Sequence, residues 1–265
     1  MEKASLSLSF DDGRADNIEV FEKILFPRNI PVTLNVTTGY IDRSCPTDKM
    51  PTDKLPMTVD KIKTYAENPL VELALHGDQH LNTETDIELG RKKIIQWLGL
   101  PSDEKFGFAS PETKLSVKEF ASAANKLFSD EIIYMRHSLR VMTYKNMRVF
   151  ARKLGRIIHI PKLYEIAYAD TLMTSCENRV IYAVPVLKDT TPAQLKCIIN
   201  KSIKTKAALT LMFHSIAKDT SMEDNWSWSR DNLNILCEYI VRKVDEGVIK
   251  CMTTREQFEE LTNYR

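Results

Sequence analysis

The sequence predicts an α/β fold in which a mainly parallel sheet closes into a (β/α) barrel with helices outside it. Short apolar runs alternate with amphipathic segments that open on helix-start signals, a pattern typical of either an open doubly wound sheet or a barrel. Seven or eight such units favour the barrel. The length of 265 residues fits one domain, because a single core commonly supports up to about 250 residues.

Eight apolar runs are predicted as strands. They are Leu6–Phe10, Pro31–Val36, Val71–Leu75, Phe106–Phe108, Ile132–Met135, Val180–Val186, Ala208–Phe213 and Val248–Met252. The basic stretch from Arg136 to Cys176 breaks this rhythm, and we interpret it as an insertion or a crossover. Neither a repeat nor a Gly/Ser-rich linker interrupts the chain, so we predict a single domain over residues 1–265 with an irregular insertion around residues 136–176.

Four positions carry helix-start signals. Thr85, Ser116 and Thr254 each precede an acid or an amide by three residues, which is the spacing of a capping box. Thr191 followed by Pro192 combines an N-cap residue with proline at the first helical position. Apolar residues fall on one face of the segments after Thr85 and Ser116, as expected of helices that pack on a sheet.

The composition limits the classes of partner. The 37 basic and 36 acidic residues leave a net charge of +1, so we expect no nucleic-acid partner and no attraction to an anionic membrane. No stretch approaches the ~20 apolar residues of a membrane span. Five widely spaced cysteines without a CxxC pair indicate reduced thiols. Because the opening MEKASLSLSF also lacks a long apolar run, we predict a cytoplasmic protein.

Unusual polar residues follow the predicted strands. Two adjacent acids, Asp11 and Asp12, end the first run. His76 and His80 follow the third run in LALHGDQH, and His214 follows LTLMF. Functional sites in α/β folds gather at the carboxyl ends of parallel strands, so we expect these side chains to meet.

The repulsion between the adjacent acids would be offset by a bound cation. Two imidazoles and one carboxylate, from His76, His80 and Asp12, form a ligand set that leaves positions open for water and substrate. The HxxxH spacing can aim both rings at one ion. Asp11 would then be a base beside a water whose pKa the metal lowers from 15.7 to about 7.

Together and in this order, these motifs resemble those of the polysaccharide deacetylase family, also called the NodB-homology domain or carbohydrate esterase family 4. SFDDG (Ser9–Gly13) resembles its first motif, T/S-F-D-D-G, and HGDQH (His76–His80) resembles its second, H-S/T-x-x-H. FASPE (Phe108–Glu112) stands where the third, F-R-x-P-Y, belongs, and LMFH (Leu211–His214) resembles the last, L-x-H. The resemblance covers essentially the whole chain.

The resemblance implies a distorted (β/α) barrel, commonly with seven strands, and metal-dependent removal of acetyl groups from N-acetylated sugars. It implies Asp11 as general base and His214 as general acid, and the implied metal ligands are Asp12, His76 and His80. A divalent ion is expected, with zinc favoured and iron, cobalt or nickel open to the same ligands. The expected substrate is an N-acetylated sugar of surface-polysaccharide assembly, with nucleotide-linked and lipid-linked forms left open.

The third motif departs from the family pattern. Ala109 stands where the family has an arginine that pairs with the base, and Glu112 replaces the usual aromatic residue. Our hypothesis is that another arginine orients the base, and the candidates are Arg14, Arg136 and Arg140. Gly77 replaces a serine or threonine of the second motif, which removes a hydroxyl but no metal ligand.

Substrate contacts are predicted in two loops. A backbone N–H near Pro111 and Glu112 would help to hold the oxyanion, and Trp226 and Trp228 in NWSWS would offer aromatic faces to a sugar. Tryptophan also commonly anchors a following helix, so that alternative stays open. Two other functions stay open as well: hydrolysis of a small cyclic amide or imide at the same metal, and catalytically silent carbohydrate binding, which Ala109 would favour.

Overall fold

A computed structural model describes residues 2–45, 55–122, 127–138, 154–155, 158–218 and 225–263 of the protein. Seven parallel strands form a barrel: β1 (Ala4–Phe10), β2 (Val32–Val36), β3 (Val71–Leu75), β4 (Phe106–Ala109), β5 (Ile132–Ser138), β6 (Val180–Pro185) and β7 (Ala208–Phe213). Each strand pairs with the next, and β7 pairs with β1 to close the barrel. The predicted fold class is confirmed.

Three short strands accompany the barrel: β8 (Ser215–Ala217), β9 (Ser227–Ser229) and β10 (Ile249–Cys251). β8 and β9 pair with each other at the carboxyl end of β7. β10 pairs with the first half of β1, from Ala4 to Leu6, whereas β2 pairs with its second half, from Leu8 to Phe10. Two strands therefore share one edge of β1, which is a departure from a regular barrel.

All eight predicted strands are present, with bounds that differ by at most three residues. The largest difference is at β5, which extends to Ser138. Arg136 therefore lies in a strand, and the irregular insertion predicted around residues 136–176 otherwise stays a prediction. Residues 139–153 and 156–157 of that segment lie outside the described residues.

The helices of the described residues are α1 (Ile18–Val20), α2 (Thr38–Ile41), α3 (Val59–Ala66), α4 (Glu84–Leu98), α5 (Val117–Phe120), α6 (Pro161–Ala167), α7 (Pro192–Thr205), α8 (Arg230–Asp245) and α9 (Thr254–Asn263). Ser116 forms the predicted capping box of α5, and Thr191 is the predicted N-cap of α7, where it also forms a capping box with Gln194. The other two starts were predicted too late, because Thr83 caps α4 and the hydroxyl of Thr253 accepts from the first turn of α9. Within the described ranges, no helix combines the length and the apolarity that a membrane crossing needs.

The outer layer of the core is apolar. Leu6, Leu8 and Phe10 of β1 belong to one cluster with buried residues of the surrounding helices. The Phe10 ring stacks on Phe213 with centroids 5.0 Å apart and meets Phe21 edge-on at 4.8 Å. All five cysteines are free thiols, as the composition predicts.

The barrel interior is unusually polar. The alternate residues of β1 are buried serines, namely Ser5, Ser7 and Ser9. Ser7 Oγ lies 2.8 Å from Thr254 Oγ1, and Ser9 Oγ accepts a hydrogen bond from Asn35 Nδ2 at 2.7 Å. Large branched side chains usually fill barrel interiors. Here hydrogen-bonded hydroxyl and amide side chains fill the interior instead. The serines alternate along β1, and Asp11 continues the same alternation beyond the end of the strand.

Helix α9 covers the amino end of the barrel. Its Gln257 accepts a hydrogen bond from Thr210 Oγ1 at 2.6 Å and donates one to Ser5 Oγ at 3.1 Å. The N–H of Arg255 donates to the buried carboxylate of Glu72 at 2.9 Å. The candidate site residues lie at the opposite, carboxyl end of the strands.

Candidate metal centre and active site

Asp11 and Asp12 follow β1, where the chain turns sharply. Asp12 and Gly13 both have a left-handed backbone, with φ angles of 73° and 68°. The left-handed φ favours glycine at position 13, where a Cβ atom would also come within 2.9 Å of Ile41 Cδ1. The turn directs the two adjacent carboxylates to different partners.

Three side chains singled out by the sequence converge at this end of the barrel, namely those of Asp12, His76 and His80. The two imidazole Nε2 atoms are 3.2 Å apart, and Asp12 Oδ1 lies 3.6 and 3.7 Å from them. Three points at these separations lie on a circle with a radius of about 2.0 Å, close to the zinc–ligand distances of about 2.0–2.2 Å for nitrogen and oxygen. The donor set therefore fits a divalent transition-metal ion.

The His76 ring has the orientation that a metal ligand needs. Its Nδ1 lies 2.8 Å from the carbonyl oxygen of Ala109, so the Nδ1–H donates to this carbonyl and the Nε2 lone pair faces the cluster. Burial lowers the pKa of both His76 and His80. The lowered pKa favours the neutral imidazole, which is the form that binds a metal.

Arg14 holds one oxygen of the Asp12 carboxylate. Its Nε and Nη2 atoms lie 2.9 and 2.8 Å from Asp12 Oδ2, and its Nη1 donates to Ser215 Oγ at 2.9 Å. Burial by itself would raise the pKa of Asp12, but Arg14 and the nearby histidines outweigh it and hold the pKa well below its usual range. The other oxygen, Oδ1, is the one directed at the histidines.

Asp11 is paired with Arg136, one of the three arginines considered for this role. Arg136 Nη2 and Asn35 Nδ2 donate to Asp11 Oδ1 at 2.5 and 2.8 Å. Asp11 Oδ2 faces the cluster, 3.9 Å from His76 Nε2 and 3.7 Å from His214 Nε2. Burial would raise the pKa of Asp11, but Arg136 and then the histidines lower it below its ordinary value. The carboxylate is therefore in the form that can accept a proton.

Arg136 supplies the cation that the third motif lacks. It lies on β5 as the register partner of Ala109 on β4, and both residues are buried. Position 109 carries only a methyl group, and the guanidinium comes instead from the neighbouring strand. Of the other two candidates, Arg14 pairs with Asp12, and Arg140 lies outside the described residues.

An aromatic ring covers His214. The ring centroids of Trp226 and His214 are 4.4 Å apart, and Trp226 is 41% exposed. Burial lowers the pKa of His214, although the carboxylate of Asp11 acts in the opposite direction. A substrate that reaches His214 would therefore meet the exposed part of Trp226.

Trp228 belongs to the core, which corrects its predicted role. Its side chain is fully buried, and its ring centroid lies 5.7 Å from that of Phe213. Its indole N–H donates to the Thr190 carbonyl at 2.7 Å. A ring without an exposed face cannot stack on a sugar. Of the two tryptophans, Trp226 remains the candidate substrate contact and Trp228 is the structural anchor.

Pro111 and Glu112 lie in a short 3-10 turn after β4. The Pro111 carbonyl accepts a hydrogen bond from Asn82 Nδ2 at 2.9 Å, which ties the turn to the loop that follows His80. The Glu112 side chain is 50% exposed and pairs with Lys114. The oxyanion contact at this turn stays a prediction.

Asn35 is a site residue that the sequence did not single out. It is a buried amide in the otherwise mostly apolar strand β2, and buried amides require hydrogen-bond partners. Its Nδ2 contacts Ser9 Oγ, the Phe10 carbonyl and Asp11 Oδ1 at 2.7, 3.2 and 2.8 Å. An asparagine inside an apolar run is the sequence signal that could have identified it.

The fold and these side chains define a (β/α) barrel with a candidate metal centre beside an arginine-paired carboxylate. No protein-family model matches the chain. Among solved structures, the chain is similar to the deacetylase domain of BpsB from Bordetella bronchiseptica, with 18% identity, 49% of this chain and 62% of that chain covered, and a TM-score of 0.38.

Two further solved structures share the likeness. The catalytic domain of a peptidoglycan N-acetylglucosamine deacetylase from Eubacterium rectale has 11% identity, with 95% of this chain and 90% of that chain covered and a TM-score of 0.44. A family 4 acetyl xylan esterase from Clostridium thermocellum, in complex with a cobalt ion, has 15% identity, with 78% and 87% covered and a TM-score of 0.38.

One curated protein shows a partial sequence match. An adenosine deaminase from Gallus gallus is 24% identical over 143 residues, which are 54% of this chain and 38% of that protein. The chain therefore matches less than half of this relative's length.

Proposed function

We propose that the protein is a metal-dependent hydrolase that removes N-acetyl groups from an acetamido sugar or a polysaccharide intermediate. The observation that carries the proposal is the position of Asp11 Oδ2, 3.9 Å from His76 Nε2 and 3.7 Å from His214 Nε2. An ionised carboxylate thus lies between a candidate metal ligand and a second histidine, as metal-assisted amide hydrolysis requires. The motif resemblance to polysaccharide deacetylases supports the same reaction.

Asp12, His76 and His80 would hold the ion, with zinc as the first choice and iron, cobalt or nickel compatible with the same donors. When bound, a divalent ion supplies Lewis acidity, which polarises the acetyl carbonyl and lowers the pKa of a water from 15.7 to about 7. The three side chains need little rearrangement for this purpose, because their donor atoms already converge.

Asp11 would take a proton from the attacking water at Oδ2, because Oδ1 is engaged by Arg136 and Asn35. A proton must also reach the leaving nitrogen, since a sugar amine is too basic to depart as an anion, and the proton that Asp11 takes can serve. His214 Nε2 lies 3.7 Å from Asp11 Oδ2 and is placed to pass the proton on. Burial lowers the pKa of His214, so the neutral ring can accept this proton before it donates it.

The surroundings of His214 favour a sugar substrate over a small cyclic amide or imide. Trp226 presents an exposed aromatic face beside this histidine, and such faces pack against the apolar face of a sugar ring. The Arg136–Asp11 pair also removes the reason to expect a catalytically silent protein. A cytoplasmic role on nucleotide-linked or lipid-linked sugars in surface-polysaccharide assembly is part of the proposal.

The test combines metal analysis with an assay of acetate release. Purified protein is loaded with zinc or cobalt and incubated with N-acetylglucosamine, its oligomers and a nucleotide-linked form. Ammonia release from adenosine is measured in parallel, because the curated relative is an adenosine deaminase. We expect acetate release that a chelator abolishes and that added metal restores.

Asp11→Asn is the matched variant, since it keeps the shape of the side chain and removes the base. It should bind metal normally and lose nearly all turnover. A protein that takes up no metal and releases no acetate, or an Asp11→Asn protein with unchanged turnover, contradicts the proposed function.

A further inference from the structure

A carboxylate from helix α4 holds the loop that carries both histidine ligands. Asp86 Oδ2 accepts hydrogen bonds from the backbone N–H groups of Asp78 at 3.0 Å and Leu81 at 2.9 Å. Asp86 Oδ1 accepts a third bond from the N–H of Gln79 at 2.8 Å. The carboxylate is buried, with 7% of the residue exposed. One side chain therefore fixes three backbone amides in residues 76–81.

The backbone of this loop needs such support. Gly77 and His80 both have left-handed conformations, with φ angles of 79° and 60°. A left-handed residue other than glycine is disfavoured and persists only where its surroundings hold it. A Cβ atom at position 77 would lie 2.4 Å from Asp86 Oδ2, so the glycine makes room for the carboxylate.

Asp86 is not the N-cap of its own helix. The N-cap of α4 is Thr83, whose hydroxyl accepts a hydrogen bond from the N–H of Asp86. The Asp86 carboxylate turns instead to the amides of the loop that precedes the helix. The helix also approaches the loop closely at Gly90, where a Cβ atom would lie 3.1 Å from the carbonyl carbon of Gly77. Helix α4 therefore supports the loop at two points.

We propose that Asp86 is a positioning residue of the metal centre, which sets the loop backbone so that the Nε2 atoms of His76 and His80 reach the same ion. Asp86 acts through the loop and does not touch the ion. This inference rests on the metal site of the proposed function. Loss of partners that orient metal ligands typically weakens metal binding about 10–100-fold, and we expect an effect in this range.

The test uses Asp86→Asn and cobalt(II) as the probe. Asparagine keeps the volume but turns an NH₂ group toward backbone N–H donors, so the loop loses part of its support. We expect the Kd for cobalt to rise about 10–100-fold and the visible absorption spectrum of the bound cobalt to change. Glu84→Gln is the matched control, because Glu84 is an exposed acid in the same first turn of α4. It removes the same charge and should change the Kd less than about twofold.

Gly90→Ala is a second variant that disturbs the loop without changing a charge. Alanine is a better helix former than glycine, so the metal-free protein should keep most of its Tm. The added methyl group should nevertheless displace the backbone at Gly77 and weaken cobalt binding several-fold. If Asp86→Asn does not fold, this variant tests whether metal binding depends on the loop backbone that Asp86 holds, and cobalt binding equal to that of the wild type would overturn the proposal.

The outcomes separate the two proposals. Weakened cobalt binding and an altered spectrum in a folded variant support the role of Asp86. If the wild-type protein binds cobalt and the folded variants bind it with the same Kd and spectrum, the role of Asp86 is overturned and the proposed function stands. If the wild-type protein binds no cobalt or zinc, both proposals fail.

Discussion

On the β1 and β3 side of the barrel mouth, Asp12, His76 and His80 converge from the positions that the motifs assign. On the β4 and β5 side, by contrast, the arginine beside Asp11 comes from a different strand than the motif assigns. A ligand atom must lie about 2 Å from its ion, so a short side chain cannot move to a strand about 4.8 Å away. A guanidinium on a long side chain can reach one carboxylate from either strand. Ligands are thus tied to their sequence positions more strictly than charge partners are.

The largest effect is expected on the ligand side. His76→Ala removes one of the three candidate donor atoms, so metal binding should be lost and kcat should fall by more than about 100-fold. This loss exceeds the effect of about 10–100-fold that is typical when a residue that orients a metal ligand is removed. Metal content and acetate release measure the two effects. His137→Ala is the control, since His137 lies on β5 with its ring against Tyr182 and should leave both quantities unchanged. A His76→Ala protein that keeps its metal and activity would contradict the role of His76 as a ligand.

The next effect tests whether the arginine can be relocated. Arg136→Ala should lower kcat about 10²–10³-fold while the metal content is kept, because it leaves the base without its cation. Ala109→Arg combined with Arg136→Ala returns the arginine to the motif position. The kcat of this double variant should be at least about tenfold higher than that of Arg136→Ala alone. Thermal unfolding checks that the single variant is folded. An unchanged kcat in folded Arg136→Ala would show that the pair has no role in the reaction.

A smaller effect is expected where the site meets its substrate. Trp226→Ala should raise the KM for an N-acetylated sugar about 2–10-fold and leave kcat within about twofold, since one aromatic contact contributes about 0.5–1.5 kcal/mol. Trp228→Phe is the contrasting variant, because the buried indole N–H donates to Thr190. It should lower the Tm and leave the KM unchanged. Equal KM values for Trp226→Ala and wild type would exclude this ring from the sugar site.

The smallest effect is expected on stability, at the amino end of the barrel, which helix α9 covers. The pKa of the Glu72 carboxyl is raised above its ordinary 4.5, because the effect of burial exceeds the opposite effect of its hydrogen bonds. The folded protein therefore binds a proton at Glu72 more tightly than the unfolded chain does. The resulting stabilisation is present below the unfolded pKa and is lost as the pH rises through the folded pKa. The Glu72→Gln variant has no carboxyl to titrate at this position. The Tm of the variant minus that of the wild type should therefore increase by about 2–4 °C as the pH rises to about 7.

Thermal unfolding at a series of pH values measures the change in this difference. Exposed Glu259 on α9 supplies the control, and the Tm difference between Glu259→Gln and wild type should vary little over the same range. A Glu72→Gln difference that is independent of pH would contradict the raised pKa.

The strands could be predicted because strands buried on both faces are mostly apolar. Val71–Leu75 has Glu72 as its one charged residue, and Ala208–Phe213 has Thr210 as its one polar residue. Helix starts were less certain where two threonines stand near one boundary. Thr83 and Thr85 both precede an acid by three residues, and spacing alone cannot choose between them. The first is the N-cap, because the helix begins at Glu84, two residues before the start that Thr85 predicts.

The contacts between the motifs could not be predicted in the same way. Asp78 in the loop HGDQH is an example, because it is 2% exposed and pairs with Thr38 and Lys93 at 2.6 and 2.7 Å. Such pairs depend on which elements are neighbours in space and on how far side chains reach. The same reason explains why Arg136 remained one of three candidates.

The hydrogen bonds of Arg14 also restrict which ions the centre can accept. Because Arg14 engages Oδ2 of Asp12, the carboxylate can offer an ion one oxygen and not two. Calcium requires about six to eight oxygen ligands and often takes both oxygens of a carboxylate. If the candidate centre binds an ion, its two imidazoles and single carboxylate oxygen would therefore discriminate against alkaline-earth ions, and Arg14, which would touch no ion, would contribute to the choice of metal.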